Sequence, residues 1–287
     1  MKKLLISLVA GLLAIVTCFS MTACGGLAYT PVNAQLDALT EVKSGTADVA
    51  VLDSTLARYN LEKNTYKNLQ VLETDAFDFA QEHYAIGFRK DGNTAEYFNY
   101  ALYKVQKSGK MLAHAKTFKL DQQLVTMPEV AKPAAPAADS DFGKIIASGK
   151  FTLGITIFEP IAFLNAQHLI DGYDIQIAKE CIAVLNTEYG INLEFQHLEI
   201  NWDEKENELN SDKIDCVWNG FTVTEERKAG FTFSNPYLIN EQVLVIRKDD
   251  AEKYKDTSAL KSAKFVAEAA SAGESAIKTT ITDVLKG

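Results

Sequence analysis

The chain has 287 residues, with 38 acidic and 29 basic side chains and a formal net charge of −9. An acidic chain of this kind repels polyanions, which argues against nucleic acid as a partner. The four cysteines and four histidines lack the spacing of metal ligands, so the sequence predicts no metal site and no cofactor.

The N-terminus has the pattern of a secretory signal. Lys2 and Lys3 precede an apolar run from Leu4 to Ile15, and the small residues of MTAC end at Cys24. This pattern predicts a lipoprotein signal peptide over residues 1–23 with Cys24 lipidated, anchoring the protein to the membrane. An ordinary cleaved signal is the alternative. Either would place the protein outside the cytosol, on the extracellular face of a bacterial membrane or in the periplasm.

Two further cysteines remain after the predicted cleavage. Cys181 lies in a helical pattern and Cys216 in a strand pattern, and both are predicted as core thiols. A disulfide between them is the alternative in an exported protein.

The first half of the chain alternates strand and helix patterns. Asp53 ends a buried strand, which places it to be the N-cap of the next helix. The predicted elements are a strand at Leu27–Thr30, a helix at Asn33–Val42, a strand at Ala47–Asp53, a helix through Ala57 and Tyr59, a strand at Asn68–Thr74, a strand and turn at His83–Gly92, a helix from Tyr97 through Val105 and a short helix to Leu120.

Residues 121–143 separate this half from the next. Pro128, Pro133 and Pro136 stand among alanines, a composition that predicts a semi-extended, poorly ordered spacer. After it, the same alternation resumes. This half begins with the segment Phe142–Ile155. The predicted elements after it are a helix at Gly172–Asn186, strands at Asn192–His197, Gln242–Asp250 and Lys264–Glu268, and a last helix to about Leu285.

The stretch from Ile214 to Lys228 is predicted to bind an anion. An apolar strand runs into Asn219-Gly220, and Thr224 is placed to cap a helix whose first turn contains Arg227. Free backbone N–H groups beside an always-charged arginine suit a carboxylate. The alternative is an ordinary loop in which Arg227 forms a surface ion pair.

Asn201 to Lys228, followed by FSNPYL at Phe233–Leu238, closely resembles the first-lobe segment of the family 3 extracellular solute-binding proteins of amino-acid ABC transporters. The resemblance implies that Arg227 clamps the α-carboxylate of an amino acid. It also implies backbone and hydroxyl contacts from Gly220 and Thr222, and a pocket wall formed by Trp202, which could instead be a half-buried surface aromatic.

Other segments resemble the second lobe of this family. The resemblance implies that Asp53 binds the α-ammonium. Backbone amides of Ser271, Ala272 and Gly273, at the start of the last helix, are predicted to share the carboxylate, with a plain capped helix as the alternative.

Two residues bear on the side chain of the ligand. Phe158 is predicted to stack on it, and Glu159 or Glu268 to face it, which would favour a polar or cationic amino acid. Either glutamate could equally be a solvated rim residue, an alternative that applies above all to Glu159. Ala270 stands where the family usually has glycine, so the last helix is expected to lie less close to the ligand.

The segments read as one complete binding protein only if Phe142–Gly287 is placed before Leu27–Leu120. The chain therefore resembles a circular permutant with a type II periplasmic-binding-protein-like α/β fold, two lobes and a cleft between them. Crossings are expected near Thr74–Tyr84 and Val245–Asp250. The predicted parts are the second half of lobe two (24–78), a return to lobe one (79–120), a linker (121–141), lobe one (142–248) and the first half of lobe two (249–287).

A monomer is expected, and two half-proteins that fold by swapping with another chain are the alternative.

The function implied by the resemblance is a lipid-anchored binding protein that delivers a polar amino acid to an ABC permease. No nucleophile and base stand at a recognisable spacing, so an enzyme is not predicted. The alternatives are a cyclohexadienyl-dehydratase-like enzyme with Glu268 as general acid, a ligand sensor, and a degenerate permutant that binds nothing. The sequence does not name the amino acid.

Overall fold

The computed structural model describes residues 27–286, so the predicted signal and Cys24 lie outside the described residues. The strands are β1 (Tyr29–Val32), β2 (Val49–Asp53), β3 (Leu69–Val71), β4 (Glu82–Tyr84), β5 (Gly87–Arg89), β6 (Lys150–Ile155), β7 (Phe163–Leu164), β8 (Ile170–Asp171), β9 (Glu194–Glu199), β10 (Cys216–Val217), β11 (Phe231–Phe233), β12 (Leu238–Asn240), β13 (Gln242–Arg247) and β14 (Phe265–Glu268).

The helices are α1 (Gln35–Ser44), α2 (Ser54–Leu61), α3 (Thr94–Lys107), α4 (Lys110–Thr117), α5 (Asp141–Ser148), α6 (Tyr173–Tyr189), α7 (Lys205–Asn210), α8 (Ala251–Tyr254), α9 (Ala272–Ala276) and α10 (Thr282–Lys286). A π-helical turn at Ile277–Ile281 joins α9 to α10. No helix within residues 27–286 is long and apolar enough to cross a membrane.

Two five-stranded sheets form two lobes. The sheet of lobe one has the order β11-β5-β10-β6-β9, and that of lobe two has the order β1-β14-β2-β13-β3. Each contains three parallel strands: β9, β6 and β10 in lobe one, and β1, β14 and β2 in lobe two. One antiparallel strand follows, β5 or β13, and the edge strand, β11 or β3, pairs antiparallel with it. The predicted two-lobed α/β fold is confirmed.

A separate two-stranded ribbon connects the lobes. In it, β4 and β12 are antiparallel, with Glu82 opposite Asn240 and Tyr84 opposite Leu238. After β4 the chain enters lobe one as β5, and after β12 it enters lobe two as β13. The two crossings therefore lie side by side.

The predicted second crossing, at Val245–Asp250, was wrong. Strand β13 pairs with both β2 and β3 along its length, so it already belongs to lobe two. The chain leaves lobe one at β12, and the predicted end of lobe one at residue 248 is about seven residues too late. An apolar strand has the same pattern in either sheet, and only its pairing distinguishes them.

The Pro-Ala segment is not a poorly ordered spacer. The Tyr97 hydroxyl donates to the Ala134 carbonyl at 3.1 Å, and the Tyr189 hydroxyl donates to the Pro133 carbonyl at 2.9 Å. Near the start of the segment, the Met127 N–H donates to the Gln106 side-chain oxygen at 2.7 Å. The segment is docked along α3 and α6 because two tyrosines supply donors to carbonyls that no regular structure pairs.

Cys181 and Cys216 are both free and buried, so the predicted core thiols are confirmed and the alternative disulfide is wrong.

Candidate functional site

The cleft between the lobes is bordered by the ends of parallel strands. Asp53 ends β2 and Glu268 ends β14, and because the strands are parallel their carboxyl ends meet at one edge of the sheet. Register places Gln242 of β13 directly opposite Asp53. In lobe one, the loops that follow β6 and β10 face this edge.

Nine of the ten predicted ligand-binding residues border one small inner cavity between the lobes. They are Asp53, Phe158, Trp202, Gly220, Thr222, Arg227, Glu268, Ser271 and Ala272, and Gln35 and Asn219 complete the lining. The inner cavity measures about 10 Å³, enough for a single water. The lobes are thus closed on each other, and an amino acid requires them to part. The role of these residues in ligand binding stays a prediction.

A second, larger cavity of about 680 Å³ lies outside the first. Arg227 and Ala272 line both cavities, so the Arg227 side chain stands between them. Most of the charged side chains that line this outer cavity are acidic.

Gly273 does not line the inner cavity, contrary to prediction. A Cβ at this position would lie 2.4 Å from the Val51 carbonyl oxygen. Gly273 therefore allows α9 to approach β2 closely, a packing role that the sequence pattern does not distinguish from a ligand contact.

Arg227 reaches across the cleft. Its guanidinium donates to the Thr222 carbonyl at 2.8 Å and to the Ala270 carbonyl of lobe two at 3.1 Å, and lies 4.8 Å from the centre of the Phe221 ring. Burial lowers the pKa of Arg227, and Asp53, Glu82 and Glu268 act in the opposite direction. An arginine stays charged throughout the physiological range.

The charged helix predicted after Thr224 is instead a 3₁₀ turn at Arg227–Ala229. The Thr224 hydroxyl still accepts from the Arg227 N–H, at 3.1 Å. The alternative, a surface ion pair of Arg227, is also wrong, since the partners of this side chain are the backbone carbonyls of the cleft.

Asp53 is held by three side-chain amides. Gln35 donates to Oδ2 at 2.5 Å, while Asn240 and Gln242 donate to Oδ1 at 2.7 and 2.5 Å. Burial raises the pKa of Asp53, and these three donors oppose the rise. Although Asp53 occupies the N-cap position of α2, its side chain makes no capping hydrogen bond, so the capping alternative is wrong.

Glu82 is a part of this site that the sequence analysis missed. The same Asn240 and Gln242 amide groups that donate to Asp53 also donate to Glu82 Oε2, at 3.0 and 2.9 Å, and the Thr222 hydroxyl donates to it at 3.2 Å. Burial, followed by the charge of Asp53, raises the pKa of Glu82 to about 6. Two carboxylates thus share two amide groups beside the lobe crossings.

Lys205 was missed as well. Its Nζ donates to the Trp202 carbonyl at 2.9 Å and reaches the Ala270 carbonyl at 3.5 Å. Burial, with Arg227 next in size, lowers the pKa of Lys205 to about 8. Both lobe-one cations therefore converge on the carbonyl of Ala270, which has a left-handed backbone with φ of 55°.

Of the two glutamates predicted to face the ligand, only Glu268 lies in the inner cavity. Its side chain is 3% exposed, and burial followed by the charge of Asp53 raises its pKa to about 8. Glu159 instead forms an ion pair with Lys63 outside this lining.

Gly220 and Thr222 line the inner cavity with groups that are already engaged. The Gly220 N–H donates to Asp174 at 2.8 Å, so the backbone contact predicted for Gly220 cannot come from this N–H. Gly220 has φ of +61°, and a Cβ there would lie 2.7 Å from the Phe158 ring. Trp202 is buried edge-on against Phe221, with centroids 5.4 Å apart, so its alternative as a half-buried surface aromatic is wrong.

The missed residues carried one usable signal. Asn240 and Gln242 closely follow the FSNPYL segment, and Glu82 immediately precedes the strand predicted from His83. A pairing of the two crossing strands would have brought these residues together. Lys205 lies three residues after Trp202 in a run of charges, where nothing local distinguishes a buried lysine from a solvated one.

Comparison with known proteins bears on the second half of the chain. Residues 152–286 match the family of bacterial extracellular solute-binding proteins, family 3. The match covers less than half of the chain. The matched residues run from within β6 to the end of α10 and include every lobe-one residue that lines the inner cavity.

The names of curated relatives are consistent with this family match. A probable ABC transporter extracellular-binding protein, YckB, of Bacillus subtilis is 29% identical over 124 residues, covering 43% of this chain and 40% of the relative. A probable histidine-binding protein of Neisseria gonorrhoeae is 31% identical over 40% of this chain and 38% of its own length. The L-cystine-binding protein TcyJ of Escherichia coli is 25% identical, with 42% and 44% covered. The chain thus spans about two fifths of the length of these relatives.

Solved structures are similar only over parts of the chain. A substrate-binding protein of an ABC uptake transporter from Streptococcus pneumoniae with bound histidine has 32% identity and a TM-score of 0.29, covering 34% of this chain and 38% of that one. Arginine-bound domain 1 of TmArgBP has 25% identity and a TM-score of 0.29, covering 50% and 96%. At these TM-scores the similarity adds nothing to the fold described above.

Proposed function

We propose that this protein binds an amino acid outside the cytosol and delivers it to an ABC permease. One observation carries the proposal: a guanidinium from lobe one, Arg227, and a carboxylate from lobe two, Asp53, line the same inner cavity. An amino acid offers the complementary pair, an α-carboxylate for Arg227 and an α-ammonium for Asp53.

Each lobe supplies one charge, which makes binding a lobe-closing event. The α-carboxylate takes the N–H groups of Arg227 that now point at Thr222 and Ala270, and Phe158 and Trp202 wall the ligand. The paired crossings β4 and β12 form the hinge. A closed two-lobed surface that the bound ligand stabilises is then available for recognition by a permease.

A thermal-shift screen of the purified protein against the twenty amino acids and cystine tests this function. A ligand that binds only the native state raises the melting temperature by mass action. We expect a selective rise with polar amino acids. A cooperative melt that no compound shifts would contradict the proposal.

The order of the strands supports circular permutation of a single chain. In lobe one, β6 is the middle strand of the parallel set, and the chain continues from it to the outer strand β9. In lobe two the equivalent middle strand is β14, the last strand of the chain, and the equivalent outer strand is β1, the first strand of the chain. Leu27 and Leu285, near the two ends of the described chain, pack in the same apolar cluster. Joining the ends would restore the connection seen between β6 and β9.

Gel filtration with light scattering tests this arrangement. A chain that completes both sheets by itself should be a monomer, whereas half-proteins that exchange segments would form an obligate dimer.

Lipid anchoring through Cys24 is the localisation that we propose. We expect the wild-type chain in the membrane fraction of a producing bacterium and the Cys24→Ala variant outside it. Equal partition of the two would contradict lipidation.

One observation favours a second candidate, an acid-catalysed dehydratase of cyclohexadienyl type. Glu268 is a buried carboxyl group at the cleft, and because burial raises its pKa to about 8 it is mostly protonated at neutral pH, as a general acid must be. Turnover of prephenate-like acids that is lost in Glu268→Gln would replace the transport function with this one.

A further inference from the structure

The cleft has a surplus of hydrogen-bond acceptors. Glu268 Oε1 and Gln242 Oε1 are buried and have no hydrogen-bond partner within the described residues, 27–286. Both side chains are 3% exposed, and they line the inner and the outer cavity respectively. The orientation of Gln242 is determined, because its Nε2 donates to both Asp53 and Glu82. A buried acceptor without a donor is costly, so both atoms require an N–H or O–H group from elsewhere.

The donors of the cleft, in contrast, are engaged. Arg227 donates to the Thr222 and Ala270 carbonyls, and Lys205 donates to the Trp202 carbonyl and reaches that of Ala270. A ligand with a second carboxylate would have to displace these bonds and would leave Glu268 without a donor. A ligand with an extra donor group satisfies Glu268 and leaves Lys205 in place.

The charges of the cleft lead to the same conclusion. Glu268 is mostly protonated at neutral pH in the ligand-free protein. Once it ionises, Asp53, Glu82 and Glu268 are three carboxylates against the two cations Arg227 and Lys205. A zwitterionic ligand leaves this balance unchanged, whereas a ligand with one net positive charge neutralises it.

We propose that Glu268 is a specificity-determining residue that receives the positively charged side chain of a basic amino acid, with the α-carboxylate on Arg227 and the α-ammonium on Asp53. This inference rests on the proposed function and narrows its ligand class. The inner cavity of about 10 Å³ has room for no side chain, so the parting of the lobes that any amino acid requires must also make room for a long one.

Matched neutral and charged ligands test the inference. Arginine and citrulline have nearly the same shape and differ in charge. Lysine and norleucine form a second pair, since they share a four-carbon side chain and only lysine has a terminal ammonium. By calorimetry we expect the wild-type protein to bind arginine at least about tenfold more tightly than citrulline, as for a buried pair of opposite charges. In Glu268→Gln this ratio should fall to near one, through loss of arginine affinity.

The matched control is Glu159→Gln, which removes an acid paired with Lys63 outside the inner cavity. It should leave the arginine-to-citrulline ratio unchanged. Glu268→Gln removes a buried carboxyl group whose Oε1 accepts from no donor in the described part of the chain. The variant should therefore melt as cooperatively as the wild type, and a thermal melt verifies this for each variant.

Proton release provides a readout that a purely structural role of Glu268 would not give. A cation docked on Glu268 lowers its pKa, so arginine should release protons and bind more tightly as pH rises from 6 to about 8. The charged groups that act on Glu268 are Asp53, Lys205, Arg227 and Asp37. Because burial also lowers the pKa of Lys205 to about 8, the release is assigned to Glu268 by its loss in Glu268→Gln.

The outcomes are distinct. Tight binding of neutral or acidic amino acids with weak binding of basic ones would overturn this inference and leave the proposed function standing. An equal loss of affinity for arginine and citrulline in Glu268→Gln would also overturn this inference, since Glu268 would then receive the α-ammonium that both ligands share. Binding of no amino acid at all would overturn the proposed function itself.

Discussion

Arg227→Ala removes the group on which both closure and ligand binding depend. The substitution deletes the bond from Arg227 to the Ala270 carbonyl, at 3.1 Å, which joins the lobes. It also deletes the bond to the Thr222 carbonyl, at 2.8 Å, and the contact with the Phe221 ring, both of which lie within lobe one. Only the first of these affects the balance between open and closed lobes.

The magnitudes follow from these contacts. A hydrogen bond from a charged donor contributes about 1.5–3 kcal/mol, so the ligand-free protein should shift toward the open form by at least about tenfold. With an amino acid bound, the substitution leaves a buried carboxylate unpaired, at a cost of about 2–5 kcal/mol. The Kd should therefore rise by between about thirtyfold and several thousandfold.

Calorimetry with the strongest ligand of the thermal-shift screen measures the Kd, and small-angle scattering of the ligand-free protein measures lobe opening. Arg58→Ala is the matched control, since this arginine of α2 is 65% exposed and pairs with Glu241. An exposed pair contributes at most about 1 kcal/mol, and its loss should leave both readouts unchanged. Arg227→Lys keeps the charge but loses the planar fork, and should fall between alanine and wild type.

A Kd for Arg227→Ala within threefold of wild type, in a protein that still melts cooperatively, would refute the carboxylate clamp. Unchanged scattering with a weakened Kd would refute only the role of Arg227 in holding the ligand-free lobes together.

Three further perturbations test other parts of the cleft. Asp53→Asn should weaken the binding of amino acids more than the binding of their analogues without the α-amino group, as measured by calorimetry. Equal losses of affinity for both would indicate that Asp53 has a structural role. Gly220→Ala, at φ of +61° and with its Cβ 2.7 Å from the Phe158 ring, should destabilise the fold by about 1–3 kcal/mol in urea unfolding, and an unchanged midpoint would contradict this packing. Asp174 is buried, and burial raises its pKa from 3.8 to about 7. Its contribution to stability is therefore fully present below pH 4 and is lost as pH rises to about 7, by up to about 4 kcal/mol. Asp174→Asn should flatten the pH dependence of the unfolding free energy over this range, and an unchanged slope would assign the dependence to other groups.

Local patterns were sufficient for the elements and for most of the cavity lining. The acid at the end of β2 and the segment from Trp202 to Arg227 were recognised because strand ends, turn residues and motif spacing are encoded by neighbours in the chain. Element bounds differ from the predicted ones by a few residues: α1 begins at Gln35, two residues after the predicted start, for example.

Side chains that meet through strand pairing could not be found in this way. Glu82 faces Asn240 because β4 and β12 pair at the hinge, and Gln242 faces Asp53 because β13 pairs with β2. These contacts join residues up to 189 positions apart, and nothing adjacent in the sequence marks them.

The sequence by itself therefore determined the two-lobed α/β fold and the clamp and cation candidates. Only the tertiary structure decided which acids share the amide groups of Asn240 and Gln242, that Lys205 is buried, and that Glu268 and not Glu159 lies in the cavity. The physical reason is that a side chain acquires its charge partners and its burial from the whole fold, whereas helix, strand and turn preferences act within a few residues.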